Sequence, residues 1–337
     1  MNRSQAGQKA IFAVEPNGLL GVDRIQRTLL LLIFVASSTV AAEVKNGFHL
    51  DDALVPVDMI QSGGPPRDGI PALSRPRFVS AKDADFLERT DRVLGIALNG
   101  ISRAYPIRIL NYHEIVNDRF GDESVVVTFC PLCGTGIVFR GSIAGVEHTF
   151  AVSGLLYNSD VLLYDHQTES LWSQIGGRAI SGPRKGTPLE RLPVTHTTWE
   201  DWLGRHPDTR VLSIDTGYNR NYYRNPYRGY ASSAELWFPV MHEDDRYPSK
   251  EMVIGLEIDG QFKAYALSEL PRRDNRIYDQ HAGQDVVVEY DRDNLTGRVL
   301  DSQGDEIPTF TAFWFAWVAF HPDTAVWQGS SRGPGQP

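Results

Sequence analysis

The sequence predicts an α+β fold that is rich in β-strands and built as a pseudo-symmetric tandem duplication. The repeated unit consists of a hairpin, a strand pair and a helix, and the first copy carries an insertion. Three self-alignments predict this duplication, because matches that recur in the same order are hard to obtain by chance. The aligned segments are 93–110 with 253–270, 125–136 with 286–297, and 199–209 with 314–324.

Each part of the repeated unit has its own local signal. The first aligned pair has apolar alternation around an Asn-Gly turn at Asn99 and an Asp-Gly turn at Asp259, which is typical of a β-hairpin. The second pair consists of a strand, a loop and a Thr-Gly turn. In the third pair, Thr198 and Asp201 make a capping-box-like start, and Pro207 ends the helix.

The predicted organisation follows from these matches and from the segments between them. In chain order it comprises a signal peptide (1–42), an extended lead segment (43–92), repeat unit one with the Cys-x-x-Cys loop (93–216) and its insertion (141–198), a connecting loop (217–252), repeat unit two (253–327) and a flexible tail (328–337). The connecting loop is long for a segment without regular structure, which is uncommon unless such a segment covers a site.

The first 42 residues have the pattern of a secretory signal. The uncharged stretch 28–42, TLLLLIFVASSTVAA, follows Arg24 and Arg27, and Val40 and Ala42 suit a cleavage site. This stretch is shorter than the roughly 20 residues that a membrane-spanning helix needs. We therefore expect an exported protein, periplasmic or extracellular, that meets a membrane only through an uncleaved signal.

Composition narrows the class of protein and of partner. With 42% hydrophobic residues in 337, the chain can bury a substantial core. Its net charge of -9 repels polyanions, so nucleic acid is excluded as a partner. The expected partner is a small molecule or a protein that takes part in redox chemistry or metal transfer.

The two cysteines of the chain, Cys130 and Cys133, lie in one loop of the first copy. In the second copy their positions are taken by Asp291 and Asn294, so the loop does not need sulfur to form. Three interpretations of the pair remain open. It is a short disulfide staple, a thiol-disulfide exchange centre, or a pair of soft ligands for a metal ion.

A metal site with two cysteines needs further ligands. His113 is the best third ligand, because it precedes the cysteine strand and the second copy has no histidine there. His166, and Met241 with His242, are the next candidates. The count of two cysteines excludes a four-sulfur site, so the pattern favours copper or an open zinc position.

The inserted segment adds polar and aromatic residues at predicted strand ends. Asp165 and Glu169 are candidates for a general acid or base, or for orienting a ligating histidine. Tyr157, Asn158, Glu169 and Trp172 are candidates for binding a cofactor in a pocket. The chain has no Gly-x-Ser-x-Gly, Walker or dinucleotide motif, so we set aside the hydrolase, ATPase and nicotinamide classes.

Several long motifs together resemble the domain-of-unknown-function family 3179, which occurs in exported prokaryotic proteins. These motifs are TFCPLCGTGIVF, SGLLYNSDVLLYDHQTESLWSQ, WEDWLGRHPDTRVLS and RYPSKEMVIGLEIDGQFKAY. The resemblance covers roughly residues 58–327 and implies a common fold and a common site. It brings no established activity.

The sequence thus favours an exported metal-binding protein that is redox-active or handles metal, with Cys130, Cys133 and His113 as ligands. Cys130, Cys133 and Asp165 are its candidate catalytic residues. One alternative is a metal-free thiol-disulfide oxidoreductase that uses both cysteines. Another is a non-enzymatic scaffold that binds a ligand or a partner. Whether the protein is an enzyme stays open at this stage.

Overall fold

The computed structural model describes residues 43–329, of which strands make up 41% and helices 9%. The predicted signal peptide lies outside these residues, as do the last eight residues of the predicted tail. None of the helices in the described part of the chain has the length and apolarity needed to cross a membrane.

Most of the strands are short and occur in antiparallel pairs. In chain order they are β1 (Val44–Lys45), β2 (Phe48–His49), β3 (Ile60–Ser62), β4 (Phe78–Ser80), β5 (Arg92–Leu98), β6 (Ile101–Pro106), β7 (Ile115–Phe120), β8 (Glu123–Cys130), β9 (Thr135–Arg140), β10 (Ser142–Ile143), β11 (Val146–Glu147), β12 (Phe150–Tyr157), β13 (Asp160–Asp165), β14 (Leu171–Ser173), β15 (Arg178–Ser181), β16 (Arg191–Leu192), β17 (Thr195–Thr198), β18 (Arg210–Leu212), β19 (Met252–Ile258), β20 (Gln261–Ala266), β21 (Arg276–His281), β22 (Gln284–Asp291), β23 (Thr296–Leu300), β24 (Glu306–Ile307), β25 (Phe310–Phe313) and β26 (Ala325–Val326).

The helices of the described residues are short. Three α-helices of seven residues each connect strands, namely α1 (Ile107–His113), α2 (Trp199–Arg205) and α3 (Trp314–Phe320). Two 3-10 turns cover Val57–Met59 and Ala81–Asp83.

Five sheets of four or five strands form the blades of a five-bladed β-propeller arrangement. We number the blades by their strand order. Blade 1 is β15-β14-β13-β12-β3, blade 2 is β16-β9-β8-β7, blade 3 is β17-β5-β6-β18-β4, blade 4 is β25-β19-β20-β26 and blade 5 is β21-β22-β23-β24.

The predicted α+β class, a tandem hairpin and helix unit, is therefore wrong. The helices are too short to form a layer of their own, and α2 and α3 only connect strands within a blade. The predicted insertion contributes β12 to β15, which together with β3 make a complete blade. The predicted lead segment is not merely extended, because β3 and β4 complete blades 1 and 3.

The aligned sequence segments occupy matching places in the blades. In blade 3, β5 pairs with β6 so that Gly95 lies opposite Ala104, and in blade 4 Gly255 lies opposite Ala264 in the same way. A parallel strand then joins each hairpin, β18 in blade 3 and β26 in blade 4. Blades 2 and 5 likewise share one strand order.

The tryptophan of each short helix packs directly on a hairpin strand, and this contact requires glycine. A Cβ atom at Gly95 would lie 2.2 Å from the ring of Trp202, and one at Gly255 would lie 2.0 Å from the ring of Trp317. Both indole N–H groups are satisfied by buried threonine hydroxyls. The strand glycines thus give room for the helix on both blades.

A segment without helix or strand runs from β18 to β19, and we call residues 213–251 the covering segment. Its Tyr227, Tyr230, Leu236, Phe238 and Val240 pack against the apolar cluster that contains both cysteines. The predicted connecting loop therefore lies over the cysteine loop.

Candidate metal centre

The cysteine loop joins β8 to β9 in blade 2. Cys130, the last residue of β8, pairs with Thr135, the first residue of β9. Gly134 has φ +61°, and a Cβ atom there would lie 2.8 Å from the ring of Phe313 in blade 4. The backbone N–H of Phe313 donates to the carbonyl oxygen of Cys133 at 2.8 Å, so the loop is held against blade 4.

Both cysteines are free thiols, so the disulfide staple does not form in this structure. The side chains are completely enclosed, with exposed fractions of 1% for Cys130 and 0% for Cys133. The backbone N–H of Cys133 donates to the Cys130 sulfur at 3.4 Å, so the two residues form one compact turn. Both Sγ atoms face the carbonyl oxygen of Ser159, at 3.7 Å and 3.4 Å.

Asp160 reaches the thiols from blade 1. The strands β12 and β13 meet in a two-residue turn, Asn158 and Ser159, whose φ angles of 53° and 63° are those of a tight hairpin. Asp160 follows this turn and is fully buried. Its Oδ2 accepts the backbone N–H of Ile175 at 2.9 Å, while its Oδ1 lies 3.6 Å from the sulfur of Cys133.

Two sulfurs and one carboxylate oxygen thus converge from neighbouring blades. The ligand atoms of Cys130, Cys133 and Asp160 all lie within 4.8 Å of one another, a spacing that suits a common metal ion. Thiolate sulfur and carboxylate oxygen are both ligands of zinc, and an ion held by three protein ligands keeps an open position. The group is therefore a candidate metal centre.

Burial governs the protonation of this group. It raises the pKa of both thiols, and that of Cys133 more strongly than that of Cys130. It also raises the pKa of Asp160 to about 7, although the N–H of Ile175 favours the carboxylate. Because the thiolate is the form that binds a metal, an ion must displace protons from both sulfurs.

A second buried carboxyl group, Glu114, lies close to the centre. It follows α1 with φ 56°, and its carbonyl oxygen accepts the N–H of Phe129 on the cysteine strand at 2.8 Å. Burial raises the pKa of Glu114 to about 8, and the charge of Asp160 adds to the effect. The surroundings of the thiols therefore hold two carboxyl groups that take up protons near neutral pH.

His113, the predicted third ligand, is not part of this group. One ring nitrogen lies 2.7 Å from the carbonyl oxygen of Pro71 and the other 2.6 Å from the hydroxyl of Tyr222. Both nitrogens are therefore engaged in holding α1 to the lead segment and the covering segment. The structure places Asp160, not His113, beside the two sulfurs.

Asp165 and Trp172, two of the predicted site residues, have structural contacts. The Asp165 carboxylate accepts the backbone N–H of Thr168 at 2.7 Å and the indole N–H of Trp172 at 2.8 Å. Asp165 thus caps the turn that follows β13, and Trp172 packs in the cluster that contains the cysteines. Glu169 is exposed and pairs with Arg67 at 2.8 Å.

The other predicted pocket residues hold the covering segment in place. Asn158 donates to the carbonyl oxygen of Ala319 and accepts the backbone N–H of Met241, both at 2.9 Å. The hydroxyl of Tyr157 donates to the sulfur of Met241 at 3.2 Å. His166 packs edge-on against Tyr164 and is not part of the cysteine group.

Several site residues were not predicted as such from the sequence. Asp160 and Ser159 stand directly after Asn158 in the sequence, and a two-residue Asn-Ser turn between apolar runs predicts that the next residue begins a strand. The other residues around the thiols carry no sequence pattern that links them to the cysteine loop. They are Glu114, Tyr227, Tyr230 and Lys250.

Comparison with known proteins gives one match. The model of the family described as a protein of unknown function (DUF3179) matches residues 67–324, which confirms the resemblance predicted from the motifs. No curated protein and no solved structure matches the chain.

Proposed function

Since the chain belongs to the DUF3179 family, whose description names no activity, we propose a function from the chemistry of the site. The protein binds one thiophilic metal ion through Cys130, Cys133 and Asp160 and serves metal handling outside the cytoplasm, with redox chemistry as its role only where the ion is copper. The observation that carries the proposal is the meeting of two sulfurs and one carboxylate oxygen in one buried group.

The third ligand bears on the choice of metal. Cu(I) favours soft ligands such as thiolates and thioethers, whereas a carboxylate oxygen is a hard ligand. Replacing the expected imidazole of His113 by the Asp160 carboxylate therefore favours a divalent ion such as zinc over Cu(I). Copper remains the competing metal, and the experiment below distinguishes the two.

The chemistry of the thiols argues against the metal-free oxidoreductase. An exchange centre needs an accessible thiolate with a lowered pKa. Here burial raises the pKa of both thiols, and neither sulfur is exposed. A metal ion supplies the positive charge that stabilises both thiolates, so metal binding suits this environment better than thiol exchange.

The test is the metal content of the exported protein, purified under reducing conditions without chelator. We expect about one equivalent of zinc per chain in the wild-type protein, and near-background metal in the Cys130→Ser/Cys133→Ser variant. Glu169→Gln is the matched control, because it removes an exposed carboxylate from the same blade as Asp160. This control should keep its metal.

Each outcome separates the candidate functions. Stoichiometric copper in place of zinc would change the proposed metal but support the same three ligands. Background metal in the wild-type protein, with both thiols shown to be reduced, would overturn the proposal. If the double variant then bound its partner normally and only lost stability, the scaffold interpretation would replace it.

A further inference from the structure

The hydroxyl of Tyr230 is a buried polar group without a hydrogen-bond partner among the described residues. The residue belongs to the covering segment, is 3% exposed and packs in the cluster that contains both cysteines. A buried hydroxyl without a partner costs free energy, so such a group calls for a specific explanation. A ligand or water that the protein binds at this place would supply the missing partner.

Tyr230 shares one buried apolar cluster with Cys130 and Cys133. Burial raises the pKa of Tyr230, and the charges of Cys133 and Cys130 raise it further. The phenol therefore belongs to the electrostatic surroundings of the candidate metal centre. A hydroxyl both donates and accepts, so it suits a small oxygen ligand on a metal ion.

The ammonium group of Lys250 lies over the aromatic ring of Tyr230. The Nζ of Lys250 lies 3.6 Å from the ring centroid of Tyr230, and the ring of Phe315 lies 5.2 Å from the same Nζ. This ammonium donates to the carbonyl oxygen of Glu235 at 3.0 Å. Burial lowers the pKa of Lys250 to about 8, and the charge of Cys133 opposes that shift.

The charges indicate what kind of ligand fits. A divalent ion with two thiolates and one carboxylate carries one net negative charge, and the Lys250 ammonium balances it. A neutral resting ligand keeps this balance, and the adjacent ammonium also allows a small anion to take its place. Zinc sites with three protein ligands usually hold a water molecule in the fourth position. Water is the smallest neutral oxygen ligand, and its hydrogen-bond partner would be Tyr230.

A surface groove lies next to the Lys250 ammonium, on the side of Phe315. The groove has a volume of about 860 Å³ and is lined by Trp237, Ser249 and Phe315 among others. Phe315 contributes one of the rings around the Lys250 ammonium, so the groove adjoins the cation.

Resting on the proposed function, we infer that the metal ion bound by Cys130, Cys133 and Asp160 keeps an exchangeable fourth position for a small oxygen ligand. Tyr230 donates a hydrogen bond to this ligand, and Lys250 balances the charge of the centre. Water is the resting ligand, and a small alcohol, carbonyl compound or anion can replace it. Tyr230 and Lys250 are positioning residues for that ligand.

The test uses the full-length exported protein loaded with Co²⁺ and titrated with azide. Thiolate-to-cobalt absorption in the near ultraviolet reports the two sulfurs, and the visible ligand-field bands report the fourth position. We expect azide to change the visible bands and to saturate. Tyr230→Phe should weaken azide binding about tenfold through loss of one hydrogen bond. Lys250→Met should weaken it at least as much, and Lys250→Arg should restore most of it.

Matched controls separate positioning from folding. Tyr223→Phe changes a tyrosine of the covering segment that is 70% exposed, and it should bind azide like the wild-type protein. In the metal-free protein Tyr230→Phe should not lower the melting temperature, because the hydroxyl has no partner there. A merely structural hydroxyl would show the opposite pattern, a lower melting temperature with unchanged azide affinity, and that result would overturn the inference.

The spectra also tell the two proposals apart. Absence of the thiolate-to-cobalt band would contradict the metal site itself. A strong band together with visible bands that azide does not change would leave the metal site standing and overturn only the exchangeable fourth position.

Discussion

The sulfur of Cys130 and the carboxylate of Asp291 accept the same kind of backbone hydrogen bond in two matching loops. The N–H of Cys133, three residues on, donates to the Cys130 sulfur at 3.4 Å, and the N–H of Asn294 donates to the Asp291 Oδ1 at 3.0 Å. Each residue ends its strand and pairs with a threonine, Thr135 in one loop and Thr296 in the other. One turn geometry is therefore built once with sulfur and once with oxygen.

The matching loop provides a test of the role of Asp160. We predict that Asp291→Cys/Asn294→Cys, made in the Cys130→Ser/Cys133→Ser background, does not restore metal binding. The thiol at position 294 would lie beside the N-terminus of α2, where Thr198 contacts Asn294 at 2.5 Å. The measurement is the metal content of this quadruple variant, compared with that of the wild-type protein. Full recovery of one equivalent would show that two sulfurs in this turn suffice and that Asp160 is dispensable.

Asp160→Asn tests the carboxylate directly. Because the amide cannot supply a negatively charged oxygen to the ion, we predict that zinc affinity falls by roughly 100-fold while both thiols remain free. Competition with a chromophoric chelator measures the change. Asp165→Asn is a weaker control because Asp165 is buried, so the exposed Glu169→Gln is the better comparison. An unchanged affinity in the Asp160 variant would exclude this residue as a ligand.

The raised carboxyl pKa values predict how the stability of the metal-free protein depends on pH. Asp160 titrates at about 7 and Glu114 at about 8 in the folded protein, against ordinary values of 3.8 and 4.5. Between these limits the folded state holds protons that the unfolded chain has released. The resulting stability is complete below the ordinary values and is lost as the pH rises through 7 to 8.

The measurement is urea unfolding of the metal-free protein at several pH values. We expect the free energy of unfolding to fall by at least about 1 kcal/mol from pH 5 to pH 8, because one pKa unit corresponds to ~1.4 kcal/mol. The Glu114→Gln/Asp160→Asn variant should lose most of this slope. A wild-type stability that rises over the same range would contradict the assignment of buried, protonated carboxyl groups.

Part of this architecture could be predicted from the sequence. The hairpins followed from alternation around Asn99 and Asp259, and the matching of the loops followed from self-alignment. The fold class did not follow, because Thr198 and Pro207 predict where the helix begins and ends but not that it only connects two strands of one blade. The sequence of the insertion likewise predicted strands, but it did not show that they form a blade with β3, which lies some ninety residues earlier in the chain.

The candidate metal ligands were also only partly predictable from the sequence. The cysteine pair was readable from spacing alone, whereas its third partner depends on which blade lies opposite. His113 was the chemically obvious choice near the cysteine strand, but its nitrogens are used by Pro71 and Tyr222. Asp160 comes from a hairpin turn of another blade, and only the packing of blades 1 and 2 brings it to the sulfurs.

His113 gives a prediction of its own. Since both ring nitrogens make hydrogen bonds within the fold, His113→Ala should lower stability by about 1–3 kcal/mol and leave metal content at one equivalent. Thermal unfolding and elemental analysis of the same sample check both parts. Loss of the metal in a variant that still folds would return His113 to the ligand set.

The close contact between blades 2 and 4 can be tested at Gly134. A Cβ atom there would lie 2.8 Å from the ring of Phe313, so we predict that Gly134→Ala destabilises the protein by about 1–3 kcal/mol more than Gly121→Ala. Gly121 has a similar φ of +67° with nothing within 4 Å, so the pair isolates the clash from the backbone strain. An equal loss of unfolding free energy in the two variants, measured by urea unfolding, would show that Phe313 does not restrict the side chain at position 134.

The most direct test of the metal centre is X-ray absorption at the zinc edge of the exported, zinc-loaded protein. We predict two sulfur neighbours at about 2.3 Å and oxygen neighbours at about 2.0–2.2 Å, with no imidazole scattering. Cys130, Cys133 and Asp160 would be the source of the sulfurs and one oxygen. A first shell without sulfur, or one with histidine scattering, would contradict the account.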